Sequence, residues 1–449
     1  MSDQELCIEI AKLVKEAGGR VFYVGGCVRD KFLNLENKDL DIEIHGITPE
    51  KMIELLSTID DPISYGSSFG IFAIPGYHVD IGMPRRERNT GNGHRDFTID
   101  MDPFMGYENA ARRRDFTINA LMEDVLTGEV LDYFGGIEDI QNKKIRCVDP
   151  ETFIEDPLRV LRGCQFASRF DFEIDEETIN LCKTVDITNL SKERVEEETK
   201  KALIRSKKPS VYFESLRKMN QLSYWYKEIE DLIEVPQDPT YHPEGNVFNH
   251  TMEVIDRAVE YQDKVSNPYF YELSCLTHDF GKTITTTYEN GHIHSYGHEI
   301  QGLPIIKTFI RRLTTNKELS RYISNMVVLH MRPLQLSRSK SSIKATNNMF
   351  DKAFYPEDLI YLCMADSGLD ENDENIIFLK ERYEIYKEYM ARPYVTGDDL
   401  IEAGLNPDED FSKLLDFSHR LRLSGVTKDA ALKQILAYKK QLDKTKETS

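Results

Sequence analysis

Asp39 and Asp41 stand one residue apart in the stretch Val21 to Ile44, which reads VFYVGGCVRDKFLNLENKDLDIEI. In an extended strand, residues two apart project to the same side, so Asp39, Asp41 and Glu43 share one face and Leu40, Ile42 and Ile44 the other. Carboxylates at that spacing repel one another unless a cation lies between them. Magnesium suits such a place, because it takes one or two carboxylates together with substrate phosphates. Gly25 and Gly26, directly after the apolar run, let backbone N–H groups approach an anion without a Cβ in the way, and Arg29 adds a charged donor. Asp80, between Val79 and Ile81 and just after the Pro75-Gly76 turn, reads as a third acid on a hairpin strand. The combination points to metal-assisted phosphoryl or nucleotidyl transfer. Taken singly, an Asp-x-Asp on a solvated strand edge and a Gly-Gly turn are commonplace, so the weight rests on their joint spacing.

Three further stretches carry charge in unusual places. Pro84 to Phe97, PRRERNTGNGHRDF, is basic and glycine-bearing, lacks apolar periodicity, and is expected to be a mobile loop suited to triphosphate or RNA phosphate. In Tyr107 to Met122, three successive arginines end at Asp115; Arg114 would contact phosphates, Asp115 orient a neighbouring side chain, and Asn119 bond to sugar or backbone. Glu155 to Phe172 predicts a helix, with Pro157 and two acids at its start. Asp156 and Arg159 would be neighbours on its surface and Arg162 would follow a turn later; the plain alternative is an ordinary helical ion pair.

The surrounding elements must position these groups. Residues 3–18 have helical spacing and would pack beside the first strand; Pro49 to Ser57 reads as a short helix, and Ile63 to Ile81 as strands broken at Gly66, Gly70 and Pro75-Gly76. After a Gly135-Gly136 turn and the short strand KKIRCVD, Pro150 marks a change from strands to helices. That change sets the first domain boundary, with a head at 1–150, a helical neck at 151–240, a further domain at 241–390 and a helical tail at 391–449. In the neck, Tyr224-Trp225-Tyr226 reads as helix packing. In the third region, His242, Glu244, His250, His278-Asp279, His298, His330 and Asp366 are scattered over helical sequence such as LSCLTHDFGK. An isolated histidine is more often a satisfied structural residue, whereas His250, His278, Asp279 and Asp366 combine imidazole with carboxylate, which suits a transition metal.

The chain has 449 residues, enough for several domains, with 57 Lys and Arg against 77 Asp and Glu for a net charge of −20. That balance disfavours indiscriminate nucleic-acid binding and leaves room for a local basic groove. Seven scattered cysteines without a Cys-x-x-Cys suit a reduced, cytoplasmic interior. The acidic, amphipathic start MSDQELCIEIAKLV is neither a secretion signal nor a membrane span.

Taken in order, Val24-Gly25-Gly26-Cys27-Val28-Arg29-Asp30, Asp39-Leu40-Asp41, Arg112 to Ala120 and Glu155-Asp156-Pro157-Leu158-Arg159 closely resemble the bacterial class II tRNA nucleotidyltransferases, the CCA-adding enzymes and their poly(A) polymerase relatives. The resemblance implies an α+β architecture, with a small mixed-sheet, polymerase-β-like head followed by an all-helical neck, HD domain and tail. It implies that Asp39 and Asp41 hold Mg2+, with Asp80 as the third catalytic acid, and that Gly25, Gly26, Arg29, Arg114, Asp115, Asn119 and Arg162 bind the nucleotide. Asp156 and Arg159 would read the base edge, admitting C or A. An acceptor-only aspartate matches the exocyclic amine those bases share, and uracil would leave it unpaired. The implied partners are the tRNA 3′ end, CTP and ATP, with no membrane and no obligatory protein partner. One departure from the family pattern is Gln165, where a third arginine is usual. His250, His278, Asp279 and Asp366 resemble the HD phosphohydrolase metal site, implying a hydrolytic activity such as a phosphatase or 2′,3′-cyclic phosphodiesterase; a structural site without turnover is the alternative. Poly(A) polymerase, a CC-adding enzyme, and an HD phosphohydrolase with a nucleotide-binding head stand as the other readings of the whole.

Overall fold

Ser2 and Glu5 cap the first helix, Asp3–Glu16, reciprocally: the Ser2 hydroxyl accepts from the Glu5 N–H, and the Glu5 carboxylate accepts from the Ser2 N–H. Its apolar stripe, Leu6, Ile10 and Val14, packs with Val21, Ile42, Ile44 and Ile81 in one core layer. Phe22, Val24 and Met122 project from the strands into a second layer with Ala111 and Ala120. Alternation along each strand thus buries both faces of the sheet.

The computed structural model describes all residues except 37–38, 66–70, 90–96, 241, 290 and 448–449. The chain divides into two units, Met1–Trp225 and Tyr226–Ser449. The first contains β1 (Arg20–Val24), β2 (Leu40–His45), β3 (Ile63–Tyr65), β4 (Ile71–Ala73), β5 (Val79–Gly82), β6 (Arg85–Asn89), β7 (Phe97–Met101), β8 (Met122–Asp124) and β9 (Val130–Leu131). Seven of these form one mixed sheet in the order β3-β4-β5-β2-β1-β8-β9, in which only β2 and β5 run parallel. The expected breaks at Gly66 and Gly70 lie outside the described residues.

β6 and β7 pair antiparallel from Arg85–Met101 to Asn89–Phe97, which corrects the expectation of a mobile loop over Pro84 to Phe97. The missed signal lay in the partner strand, where Phe97, Ile99 and Met101 alternate with polar residues; backbone pairing needs no such alternation in both strands. Residues 90–96, including Arg95, fall outside the described residues.

Past Pro150 the first unit is largely helical. Helix Leu158–Phe170 is closely packed on Phe116: a Cβ at Gly163 would meet the Phe116 ring at 2.9 Å. A two-residue strand, Glu173–Ile174, pairs with Lys144–Ile145. Trp225 is buried and donates its indole N–H to Ile187 O at 2.9 Å, so the packing reading of that aromatic holds.

The second unit is also mainly helical. A hairpin, Thr287–Glu289 with His292–His294, interrupts it. The Asn290-Gly291 pair was its legible turn signal, and Gly291 takes the positive φ such a turn requires. In the tail, Thr396 and Asp399 form a capping box on helix Gly397–Glu402, and Val395, Leu400, Leu414, Leu421, Ala431 and Ile435 make a small core. No helix among the described residues is long and apolar enough to cross a membrane.

Candidate active site and metal cluster

The parallel pairing of β2 and β5 sets Asp41 directly opposite Asp80. Strands pair about 4.8 Å apart, so the two carboxylates share one edge of a cleft. Burial, and then the Asp80 charge, push the Asp41 carboxyl up to about 6. Asp39 is exposed immediately before β2 and adds to the same repulsion. Three acids converging where ionisation is resisted form a donor set that a hard divalent cation would relieve, so the residues fit such an ion.

The cleft they border encloses about 620 Å³ and also takes in Gly25, Gly26, Arg29, Arg114, Asp115, Asn119, Asp156, Arg159 and Arg162. Every nucleotide-binding residue expected from sequence therefore lines it; Asp39 is not among the lining residues. Gly25 directly follows β1 with φ +67°, and a Cβ there would lie 3.3 Å from Arg114 Nη1. Absence of a side chain thus admits both the turn and the guanidinium. Arg114 is held by Glu43, Nη2 to Oε2 at 3.0 Å, and Glu43 in turn meets His45 Nε2 at 2.9 Å.

Asp115 is the hub of a buried polar network. Its Oδ1 accepts from Asn119 Nδ2 at 2.9 Å, and its Oδ2 accepts from Arg162 Nε at 2.7 Å. Asn119 Oδ1 accepts from Arg29 Nη1 at 2.6 Å. Burial opposes ionisation of Asp115, but Arg162 and these hydrogen bonds outweigh it and hold the carboxyl below its usual range. Asn119 bonds to two side chains rather than to backbone.

Asp156 and Arg159 do not form the simple helical pair that was the plain alternative. Asp156 precedes the helix and receives both of its close guanidinium contacts from Arg194, at 2.9 and 2.8 Å. Arg159 donates to Thr152 O at 2.7 Å and Arg113 O at 2.8 Å. Both are therefore fixed by partners other than each other. Gln165 lines the cleft too; it is buried, and its Nε2 lacks a hydrogen-bond partner.

Sequence reasoning left out Arg169, Arg194, Lys201 and Arg205, which also line the cleft. Their signal was helical spacing: Arg162 and Arg169, like Arg194 and Lys201, are seven apart and so share a helix face. Among the described residues, ten cationic side chains border the cleft against five carboxylates, on a chain of net charge −20. The local field is reversed relative to the bulk, which favours a polyphosphate.

In the second unit, the four expected HD residues come together. Asp366 Oδ1 lies 3.0 Å from His250 Nε2 and 3.5 Å from His278 Nε2, and Asp279 Oδ2 lies 3.3 Å from His278 Nε2. His278 Nε2 is buried without a hydrogen-bond partner, an orphaned nitrogen that a metal ion would satisfy. Burial opposes charge on Asp279 and Asp366, yet His278 beside Asp279, and the hydrogen bonds of His250 and then His278 to Asp366, hold each carboxyl well below its usual range. A mixed imidazole and carboxylate set of this kind fits a divalent transition metal.

A mixed sheet with register-matched acids beside a cationic cleft defines a nucleotidyltransferase head, here followed by a mainly helical chain with an HD-type cluster. Residues 21–146 match the Poly A polymerase head domain family. The multifunctional CCA protein of Mannheimia succiniciproducens is 33% identical over 398 residues, covering 86% of this chain and 92% of that one. Among solved structures, the Bacillus stearothermophilus CCA-adding enzyme in complex with CTP superposes with a TM-score of 0.68 at 18% identity, over 99% of this chain and 100% of that one. The Thermotoga maritima CCA-adding enzyme complexed with tRNA gives 0.66 at 20% identity, over 97% and 95%. The chain belongs to the multifunctional CCA protein family of nucleotidyltransferases.

Proposed function

We propose that this protein adds C, C and A to tRNA 3′ ends from CTP and ATP without a nucleic-acid template. The observation that carries the reading is the Asp41–Asp80 pair at the edge of a cleft lined, among the described residues, by ten cationic side chains. Asp39, Asp41 and Asp80 would hold Mg2+, which when bound supplies activation of the 3′-hydroxyl and charge neutralisation on the leaving pyrophosphate. Arg114, braced by Glu43, grips the triphosphate, and Arg29 and Arg162, tied together through Asn119 and Asp115, hold the nucleotide from the other side. Asp156 accepts from the exocyclic amine of C or A. Its Oδ1 serves Arg194 and the Leu158 N–H and its Oδ2 serves Arg194, so acceptor capacity is left for a base. Arg159, its plane set by two backbone carbonyls, donates to the ring acceptors. On this reading residues 1–150 are the catalytic head, 151–240 the base-reading neck, 241–390 a hydrolytic HD domain and 391–449 the tail, acting in the cytoplasm, where seven free thiols persist.

The test is incorporation of labelled CTP and ATP, separately and together with Mg2+, into a tRNA transcript ending at its discriminator base. CTP alone should add two residues, and both nucleotides together should give a terminated CCA end. Extension of any RNA by ATP into a long tail would make the protein a poly(A) polymerase instead.

A further inference from the structure

β2 carries its polar groups along one face. Asp41, Glu43 and His45 alternate with Ile42 and Ile44, which are buried in the core layer on the other side. Asp41 and Glu43 line the cleft, and His45 follows them along the strand. At about 3.3 Å per residue, His45 stands roughly 13 Å from Asp41, out of reach of a metal or a reacting phosphate there.

His45 is 2% exposed, and its ring meets Phe22 and Tyr107 edge-on, with centroids 5.5 and 5.1 Å away. Its backbone is fixed as well: it pairs with Arg20 of β1, and a Cβ at Gly19 would meet the His45 carbonyl oxygen at 2.5 Å. In this apolar setting His45 Nδ1 is buried without a hydrogen-bond partner, a desolvation cost that a phenylalanine or leucine would avoid. What only the imidazole supplies is the bond from Nε2 to Glu43 Oε1, 2.9 Å long. A carboxylate only accepts, so Nε2 is the donor.

That bond decides how Glu43 meets Arg114. With Oε1 engaged by His45, Oε2 is the oxygen that faces the guanidinium, and it accepts from Nη2 at 3.0 Å. A carboxylate beside an arginine otherwise favours a bidentate pair, both oxygens on two N–H groups. Here Arg114 Nε is buried with no hydrogen-bond partner, on a residue that lines the cleft. The guanidinium is thus anchored at one corner, with donor capacity left for a ligand.

We propose that His45 is a positioning residue for triphosphate binding: by occupying Glu43 Oε1 it blocks a bidentate Glu43–Arg114 pair and keeps the remaining Arg114 donors for phosphate oxygens. The role rests on the proposed grip of Arg114 on the triphosphate.

The experiment is calorimetric titration of the full-length protein in Mg2+ with CTP and, separately, with CMP. His45→Phe and His45→Leu remove the donor, and His45→Gln offers an amide N–H in place of Nε2. The CTP Kd should rise roughly tenfold in both apolar variants, the scale of one charge-assisted hydrogen bond, with the CMP Kd unmoved and His45→Gln close to the wild type. In an Arg114→Ala background, which itself weakens CTP, His45→Phe should add nothing. A misfolded fraction lowers the binding stoichiometry and leaves Kd in place, so a merely structural role would not move this readout. An unchanged CTP Kd in both apolar variants, an equal rise for CMP, or the same loss in the Arg114→Ala background overturns the positioning role while the Arg114 grip stands. Arg114→Ala that binds CTP like the wild type overturns both.

Discussion

Asp41 of β2 and Asp80 of β5 are register partners across the one parallel pairing of the main sheet. Neither acid's neighbours in sequence announce the other; the topology brings them together, and the cost of their repulsion is what a divalent cation removes. Asp80→Asn therefore relieves Asp41 while removing a ligand. The expected outcome is a head that binds nucleotide in chelator but gains less thermal stability than the wild type on adding Mg2+. Equal gains by thermal shift would contradict the shared site.

Arg194 is the partner that orients Asp156. Arg194→Ala leaves the carboxylate to rotate, so the loss should fall on base choice rather than on turnover alone. Losing one well-placed hydrogen-bond partner costs about 1–3 kcal/mol, so discrimination of CTP against UTP in kcat/KM should fall roughly 5- to 150-fold. An unchanged ratio with lower activity would reduce Arg194 to a phosphate contact.

Gly281→Ala places a methyl against the His298 carbonyl. Metal uptake and phosphoester hydrolysis by the second unit should be lost, with CCA addition retained. Retained cobalt binding in this variant would show that the close backbone approach does not shape the cluster.

Glu272 in helix Pro268–Thr277 is fully buried, accepting from Gln262 Nε2 at 2.6 Å through Oε1 while its Oε2 has no partner. Burial, with Asp256 adding to it, raises its carboxyl well above the usual 4.5, although Gln262 works the other way. A raised acid contributes stability that is complete below the unfolded value of 4.5 and is lost as pH rises through the folded value. Glu272→Gln should remove that loss, so its melting temperature should exceed the wild type's increasingly toward alkaline pH. Parallel curves in thermal unfolding across pH would contradict it.

Phe116 packs edge-on against Phe153 and Phe166 and lies under Gly163. Phe116→Ala should destabilise the first unit by about 3–5 kcal/mol, measured by denaturant unfolding.

The strand face of Asp41 and Glu43, the first helix and the capped tail helix were legible because alternation, helical spacing and capping residues are local signals. The β6–β7 pairing was not, since Arg85–Asn89 has no apolar alternation and its partner lies beyond an intervening segment. At the site, motif residues could be named, but their partners could not. Arg194 meets Asp156 from 38 residues away, and Asp366 meets His250 from 116 residues away, distances over which only the fold sets contact. Likewise His298 and His330 read as isolated histidines until Asp279 Oδ1 was seen to face them.

The most direct measurement is CTP and ATP incorporation into a tRNA transcript by Asp41→Ala beside the wild type, with tRNA binding and phosphoester hydrolysis followed on the same samples. The account predicts that incorporation falls to the no-enzyme background while binding and hydrolysis persist. Intact incorporation by Asp41→Ala would contradict it.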